Sequence, residues 1–250
     1  MKRGVLIGMA VAGLLALAAA GAVWNEYLRK PPPESLALPA GLIPLDSPQG
    51  RRLLAESASR ADYDELIASF VPQTRKAYCG VASAITVLNA AGIERAPGNP
   101  RAVFAPTDVS LNPLKASFTG MSLRGMADLL RAHGARVEVF PASTTDVASF
   151  RRLARANLGQ EDDYLLVNYQ RAHLGQARMG HISPLAAYHA PSDRLLILDV
   201  AAHKYPPVWA DLDQVWQAMR APLNARTTTT RGFIVVHGVD TGAVASTAPP

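Results

Sequence analysis

One cysteine stands in the 250 residues, Cys79, inside the stretch QTRKAYCGVASAITVLN at 73–89. A polar segment gives way there to apolar residues at helical spacing, Val81, Ala82, Ile85, Leu88 and Ala91, which puts the thiol in the first turn of a helix. Unpaired backbone N–H groups and the helix dipole favour an anion at that place, so the thiol ionises more easily and the sulfur becomes a nucleophile. Gly80 leaves the next backbone N–H open to an oxyanion forming on an attacked carbonyl. Gln73, six residues upstream, can add a second donor from its amide. An inert buried thiol packs equally well at such a position, so the cysteine alone does not establish catalysis.

A thiolate needs a base, and the chain has six histidines. His133 ends an amphipathic helix and reads as a partner for the C-terminal dipole. His189 falls in a predicted turn, where exposure is expected. His173 lies in a polar loop near Arg171, His203 precedes a lysine, and His237 reads as a satisfied strand residue. His181 differs, because it opens a strand in GHISPL and its ring can project from the end of a sheet. Asp199 closes LLILD, and a carboxylate after such a run is costly to bury unless it meets a cation or a donor. A hairpin turning at 190–193 brings the start of one strand beside the end of the next, making His181 and Asp199 cross-strand neighbours. A carboxylate there fixes the imidazole tautomer and stabilises an imidazolium facing a thiolate. Cys, His and Asp in that chain order form the cysteine-protease arrangement.

The elements that must hold these groups follow from the patterning. Residues 1–24 carry Lys2 and Arg3, then an uncharged run from Gly4 to Trp24 with Ala18, Ala20 and Ala22 near its end. That is a signal peptide or a single N-terminal membrane anchor, which implies a periplasmic or inner-membrane-anchored protein facing the periplasm of a bacterium. Residues 25–45 are a Pro-rich linker, 46–238 the catalytic domain and 239–250 a flexible tail. Helices are expected from Pro48 with Ser47 as cap, over Tyr63–Phe70, from Cys79 to a stop at Gly92, over Ser122–His133, over Thr145–Asn157 with Ser143 or Thr144 near the cap, and around 212–219. Residues 93–120 read as irregular. Strands are expected at 136–140, 164–169, 181–188, 194–200 and 232–237. Helices first and antiparallel strands later give an α+β fold, with the helix of the thiol packed on the sheet.

Composition narrows the function classes. A hydrophobic share of 49% with 18% charged residues belongs to a globular chain, and the net charge of +5 is not gathered into a basic run. Aromatics are few and do not alternate with Lys or Arg, which argues against a nucleic-acid surface. No His/Cys spacing suggests a built-in metal site.

The blocks FVPQTRKAYCGVASAITVLNAAGI, GHISPLAAY, LILDVAAHKYPPVWADLDQVWQAM and the closing RGF at 231–233 resemble the phytochelatin synthases, the glutathione γ-glutamylcysteinyltransferases, from about Leu38 to His237. The resemblance implies a papain-like cysteine protease fold with Cys79 as nucleophile, His181 as general base, Asp199 as its orienting acid and Gln73 in the oxyanion hole. It implies, more weakly, that Arg231 holds the γ-glutamyl part of a substrate. The implied substrate is glutathione or a γ-glutamyl-cysteinyl peptide, cleaved at the Cys–Gly amide through a thioester that passes to water or to a second glutathione. Heavy-metal ions such as Cd and Zn would enter as metal–thiolate glutathione or as activators, and a homodimer is implied. Pro72 departs from the polar residue usual in relatives, and the long Cys-rich extension of plant members is not matched. Two other readings keep the same residues: a general papain-like peptidase, and a non-catalytic thiol- or metal-binding module.

Overall fold

A computed structural model describes residues 2–93, 100, 102–105, 111–223 and 227–239. In chain order the elements are α1 (Lys2–Val23), continued by a π-helical turn at Trp24–Leu28, β1 (Ile43–Pro44), α2 (Pro48–Glu56), α3 (Tyr63–Ala68), α4 (Cys79–Ala90), α5 (Pro113–Thr119), α6 (Leu123–Ala132), β2 (Ala135–Pro141), α7 (Val147–Asn157), β3 (Asp163–Gln170), β4 (Gly180–His189), β5 (Arg194–Ile197), β6 (Val208–Asp211), α8 (Leu212–Arg220) and β7 (Gly232–Val239). The strands form one sheet in the order β1-β6-β5-β4-β3-β7-β2, with every neighbouring pair antiparallel.

Successive strand residues point to opposite faces, and here both faces are covered. Leu196, Trp209, Ile234, Tyr164 and Leu166 join α4 and α6 in one core. Their neighbours Leu195, Ile197, Phe233, Val235, Leu165 and Val167 join α7 and α8 in a second. Burial on both faces explains why these strands read as apolar runs rather than clean alternation. The chain is thus α+β on an antiparallel sheet, but with a helical layer on each face.

Most helix starts follow their sequence signals. Ser47 accepts from Gly50 N at 2.9 Å and Ser122 from Gly125 N at 3.1 Å, each satisfying a donor left free in the first turn. At α7 the cap is Asp146, accepting from Ser149 N at 2.8 Å, while Ser143 and Thr144 sit in a preceding 3-10 turn. The stretch read as irregular holds α5, whose Asn112 cap accepts from Leu114 N and Lys115 N ahead of Pro113. Other parts of that stretch, and the tail from residue 240, lie outside the described residues.

The segment 29–45, after the π-helical turn, is mostly extended but held against the domain. Glu34 N donates to His203 O at 2.7 Å, Leu36 N to Lys204 O at 3.0 Å, and Ile43 and Pro44 pair with β6. The helix ahead of this segment, α1, carries exposed apolar side chains such as Leu14, 67% exposed, and belongs to neither core.

Candidate active site

Cys79 is the first residue of α4, and the preceding Tyr78 places no capping side chain over the helix start. The N–H groups that Ser47 or Ser122 would satisfy elsewhere are therefore left for an anion. Two hydroxyls set the helix in place. Ser83 Oγ donates to Ile182 O at 2.9 Å, tying α4 to β4 one residue beyond His181. Thr86 Oγ1 accepts from Val71 N at 3.0 Å and fixes the loop carrying Gln73. Gly80 is required by crowding: a Cβ there would meet Met121 Cβ at 2.9 Å and Ile182 Cδ1 at 3.4 Å.

His181 lies beside the thiol and is 2% exposed. Tyr169, its cross-strand partner on β3, meets the ring edge-on with centroids 5.6 Å apart. Asp199 Oδ1 lies 2.9 Å from His181 Nε2. It approaches off the line of the ring N–H, so the contact acts more through charge than as a straight hydrogen bond. Asp199 follows the end of β5, where Oδ1 accepts from Ala201 N at 2.9 Å and turns the chain out of the strand. This is why β5 stops at Ile197 instead of continuing to 200.

The cation that a buried Asp199 requires is Arg171. Its Nη2 donates to Asp199 Oδ1 at 2.7 Å, its Nη1 to Gln176 Oε1 at 2.6 Å, and its guanidinium lies over the Tyr205 ring at 5.2 Å. Sequence reading required a cation or donor at Asp199 but did not single out Arg171. The available signal was its place directly after β3, on the strand next to that of His181.

Charge separates within this group. Burial alone would raise the Asp199 carboxyl, but His181 and Arg171 hold it well below the usual carboxylate range. Burial also raises the Cys79 thiol, yet the His181 charge and hydrogen bond, the Ile182 N–H and Arg171 together bring it below an ordinary thiol. For His181, burial and Arg171 disfavour the cation, while Asp199 and the Cys79 thiolate prevail and leave it raised. Both shifts favour a thiolate facing an imidazolium.

Gln73 is 5% exposed. Its backbone N–H reaches Val200 O at 2.8 Å, beside Asp199, and its Nε2 donates to Lys76 O at 3.1 Å. Gln73 lines a small pocket with Arg171 and His181 and is not among the described residues lining the cleft that holds Cys79. Arg231 lies in the same cleft as Cys79 and His181, a cavity of ≈ 560 Å³ within the size range of small-ligand sites. It is 5% exposed and bonds to the carbonyls of Ala221 and Pro222 through Nη1 and of Leu223 through Nη2, while its Nε has no partner. Gly180 leaves room beside it, since a Cβ there would meet Arg231 Nη2 at 3.1 Å. A buried guanidinium without an acid among the described residues suits an anionic ligand.

Of the six histidines, His181 alone lines this cleft. His133 Nε2 meets Val103 O at 2.8 Å, and His237 meets Asp163 and Glu138 as a satisfied strand residue. His189 corrects the expectation of exposure. It is 4% exposed because α2 and β6 enclose the turn, with Ser192 Oγ at 2.7 Å, Glu56 at 3.4 Å and the Trp209 ring edge-on.

A profile of the phytochelatin synthase family matches residues 34–233, a stretch that contains Gln73, Cys79, His181, Asp199 and Arg231. Over 203 residues the chain is 34% identical to the Lotus japonicus protein named glutathione gamma-glutamylcysteinyltransferase 3, covering 78% of this chain and 42% of that relative. It is 37% identical over 199 residues to glutathione gamma-glutamylcysteinyltransferase 1 of Triticum aestivum, covering 76% and 39%. A Schizosaccharomyces pombe protein of the same enzyme name is 24% identical over 209 residues, covering 80% and 50%. The chain spans about two fifths of the length of the plant relatives.

Proposed function

The chain belongs to the phytochelatin synthase family, and from that premise we propose that it is a glutathione-processing cysteine acyltransferase with a papain-like fold. The observation that carries this reading is the buried pair of Cys79 and His181, whose surroundings favour the thiolate and the imidazolium, opening on a cleft that also holds Arg231, a guanidinium with no acid partner among the described residues.

In this reading Arg231 takes the α-carboxylate of the γ-glutamyl end, and the Cys79 thiolate attacks the carbonyl carbon of the Cys–Gly amide. The S–C bond forms and the carbonyl electrons move onto oxygen, where the Gln73 amide and the N–H groups at the start of α4 stabilise them. Collapse breaks the C–N bond, and the leaving glycine takes its proton from His181. A γ-glutamylcysteinyl thioester remains on the enzyme. Water then attacks it, or the amine of a second glutathione does, with neutral His181 accepting the proton and the thiolate leaving. The products are γ-glutamylcysteine or a phytochelatin. Asp199, locked by Arg171, keeps the imidazole in place through both halves. Heavy-metal ions enter as substrate, in metal–thiolate complexes of glutathione.

We read α1 as a leader or anchor that brings the domain to the periplasmic side of a bacterial inner membrane. The apolar helical span Met9–Leu28, exposed over residues 9–23 before its last turn meets the domain, supports this.

Mass spectrometry of the protein incubated with glutathione tests the enzymatic reading. The expected result is one γ-glutamylcysteinyl group on the Cys79 peptide together with free glycine. Release of neither, or equal turnover of ordinary peptides without a γ-glutamyl end, would overturn it.

A further inference from the structure

The cleft beside Cys79 has a wall that comes from outside the sheet and its packed helices. At the foot of α1 the chain continues as Trp24–Leu28, ahead of the stretch matched by the family profile, and Glu26 and Tyr27 line the cleft there. The Tyr27 ring lies 5.0 Å from Phe118 of α5, tilted by 46°. The Glu26 carboxylate pairs with Lys76, three residues before the nucleophile. Two contacts from adjacent residues thus hold this turn against the domain.

The charges around the cleft are unequal. Among the described residues lining it, Glu26 is the only carboxylate, while Lys76 and Arg231 bring fixed positive charge. A γ-glutamyl end carries a carboxylate and an ammonium on one carbon. Arg231 has no acid partner among the described residues and suits the carboxylate, which leaves Glu26 as the lining acid able to meet the ammonium.

Building on the proposed function, we propose that Glu26, held by Tyr27 and Lys76, is a specificity-determining residue that reads the free ammonium of the γ-glutamyl substrate, so that the foot of the apolar helix is part of the substrate site. Cleavage after Ala20 or Ala22 would leave this wall on the mature chain. The anchored and processed forms would therefore share it.

The test uses the full chain in detergent and follows glycine release from glutathione and from glutaryl-Cys-Gly, which lacks the ammonium. Wild type prefers glutathione. Glu26→Gln is expected to reduce that preference about fivefold, through the KM for glutathione rather than kcat, the size expected of a partly exposed ion pair. A preference unchanged in Glu26→Gln overturns the proposal even if both rates fall together, since that pattern reports packing alone. A wild type that takes both substrates equally overturns it as well. Wild-type protein that releases no glycine from glutathione removes the proposed function itself. Normal release with an unaltered preference in the variant removes only the role of Glu26.

Discussion

Two histidines of the same sheet lie against carboxylates, and their surroundings set them apart. His181 and Asp199 are 2.9 Å apart with side chains only 2% and 0% exposed. His237 makes equally short contacts, 2.7 Å to Asp163 and 2.9 Å to Glu138, but it is 29% exposed and its Glu138 partner 59%. Both imidazoles are shifted towards the charged form against the cost of burial. At His237 water screens the pair, and both ring nitrogens are occupied by acids. At His181 a guanidinium locks the acid and a thiol faces the ring. A histidine–carboxylate contact therefore acquires chemistry from exclusion of water and from what meets its other nitrogen, and distance alone does not distinguish the two.

Removing the thiol should separate the two regions most sharply. Cys79→Ser is expected to lower glycine release from glutathione by at least about 10³-fold with an unchanged circular dichroism spectrum, because the nucleophile is lost while the fold keeps its packing. Asp199→Asn comes next. It should reduce kcat by about 10²–10⁴-fold and destabilise the protein by about 3–5 kcal/mol in denaturant titration, since Arg171 is left buried without an anion. Adding Arg171→Met to that variant should recover much of the stability and none of the activity. A recovery of activity would show that Asp199 acts only by neutralising the arginine.

The pH dependence of Cys79 alkylation gives a finer measure. Its midpoint is expected below the ordinary thiol value of about 8.5, and His181→Asn should move it upward. For the proposed reaction, kcat/KM should rise as the thiolate forms and fall once His181 loses its proton, the two limbs belonging to the coupled pair. The smallest effect is expected at the other histidine. His237→Asn should leave turnover intact and cost at most about 1 kcal/mol of stability. Because the folded pKa of His237 is raised, that contribution is complete below the unfolded value of about 6.5 and disappears as pH rises through the folded one. Thermal melts of wild type and variant should therefore differ at pH 5 and converge at high pH.

Much of the site was legible in the sequence because its geometry is local. The helix start at Cys79 follows from apolar spacing within one element. A short turn, with His189 paired to Arg194, makes the strands of His181 and Asp199 neighbours. A bulge between Leu185 and Ala187 shifts the register, however, and the ladder ends at Leu185 and Ile197, so the final approach of the two side chains was not readable from the pairing. Even so, the sequence suggested a longer β5, and the carboxylate that defines the site is what ends the strand. The exposure expected for His189 failed for a different reason: its turn is local, but its burial comes from α2 and Trp209.

By itself the sequence pointed to Cys79 at a helix start and to His181 and Asp199 on the two arms of one hairpin, because spacing within a helix and a short turn are short-range constraints. Only the tertiary structure could supply Arg171 beneath Asp199, the open space beside Arg231, the second helical layer and the turn of Glu26 and Tyr27 against Lys76 and Phe118. Those contacts join residues tens of positions apart, and no periodicity along a chain encodes which distant side chain will exclude water from a charge.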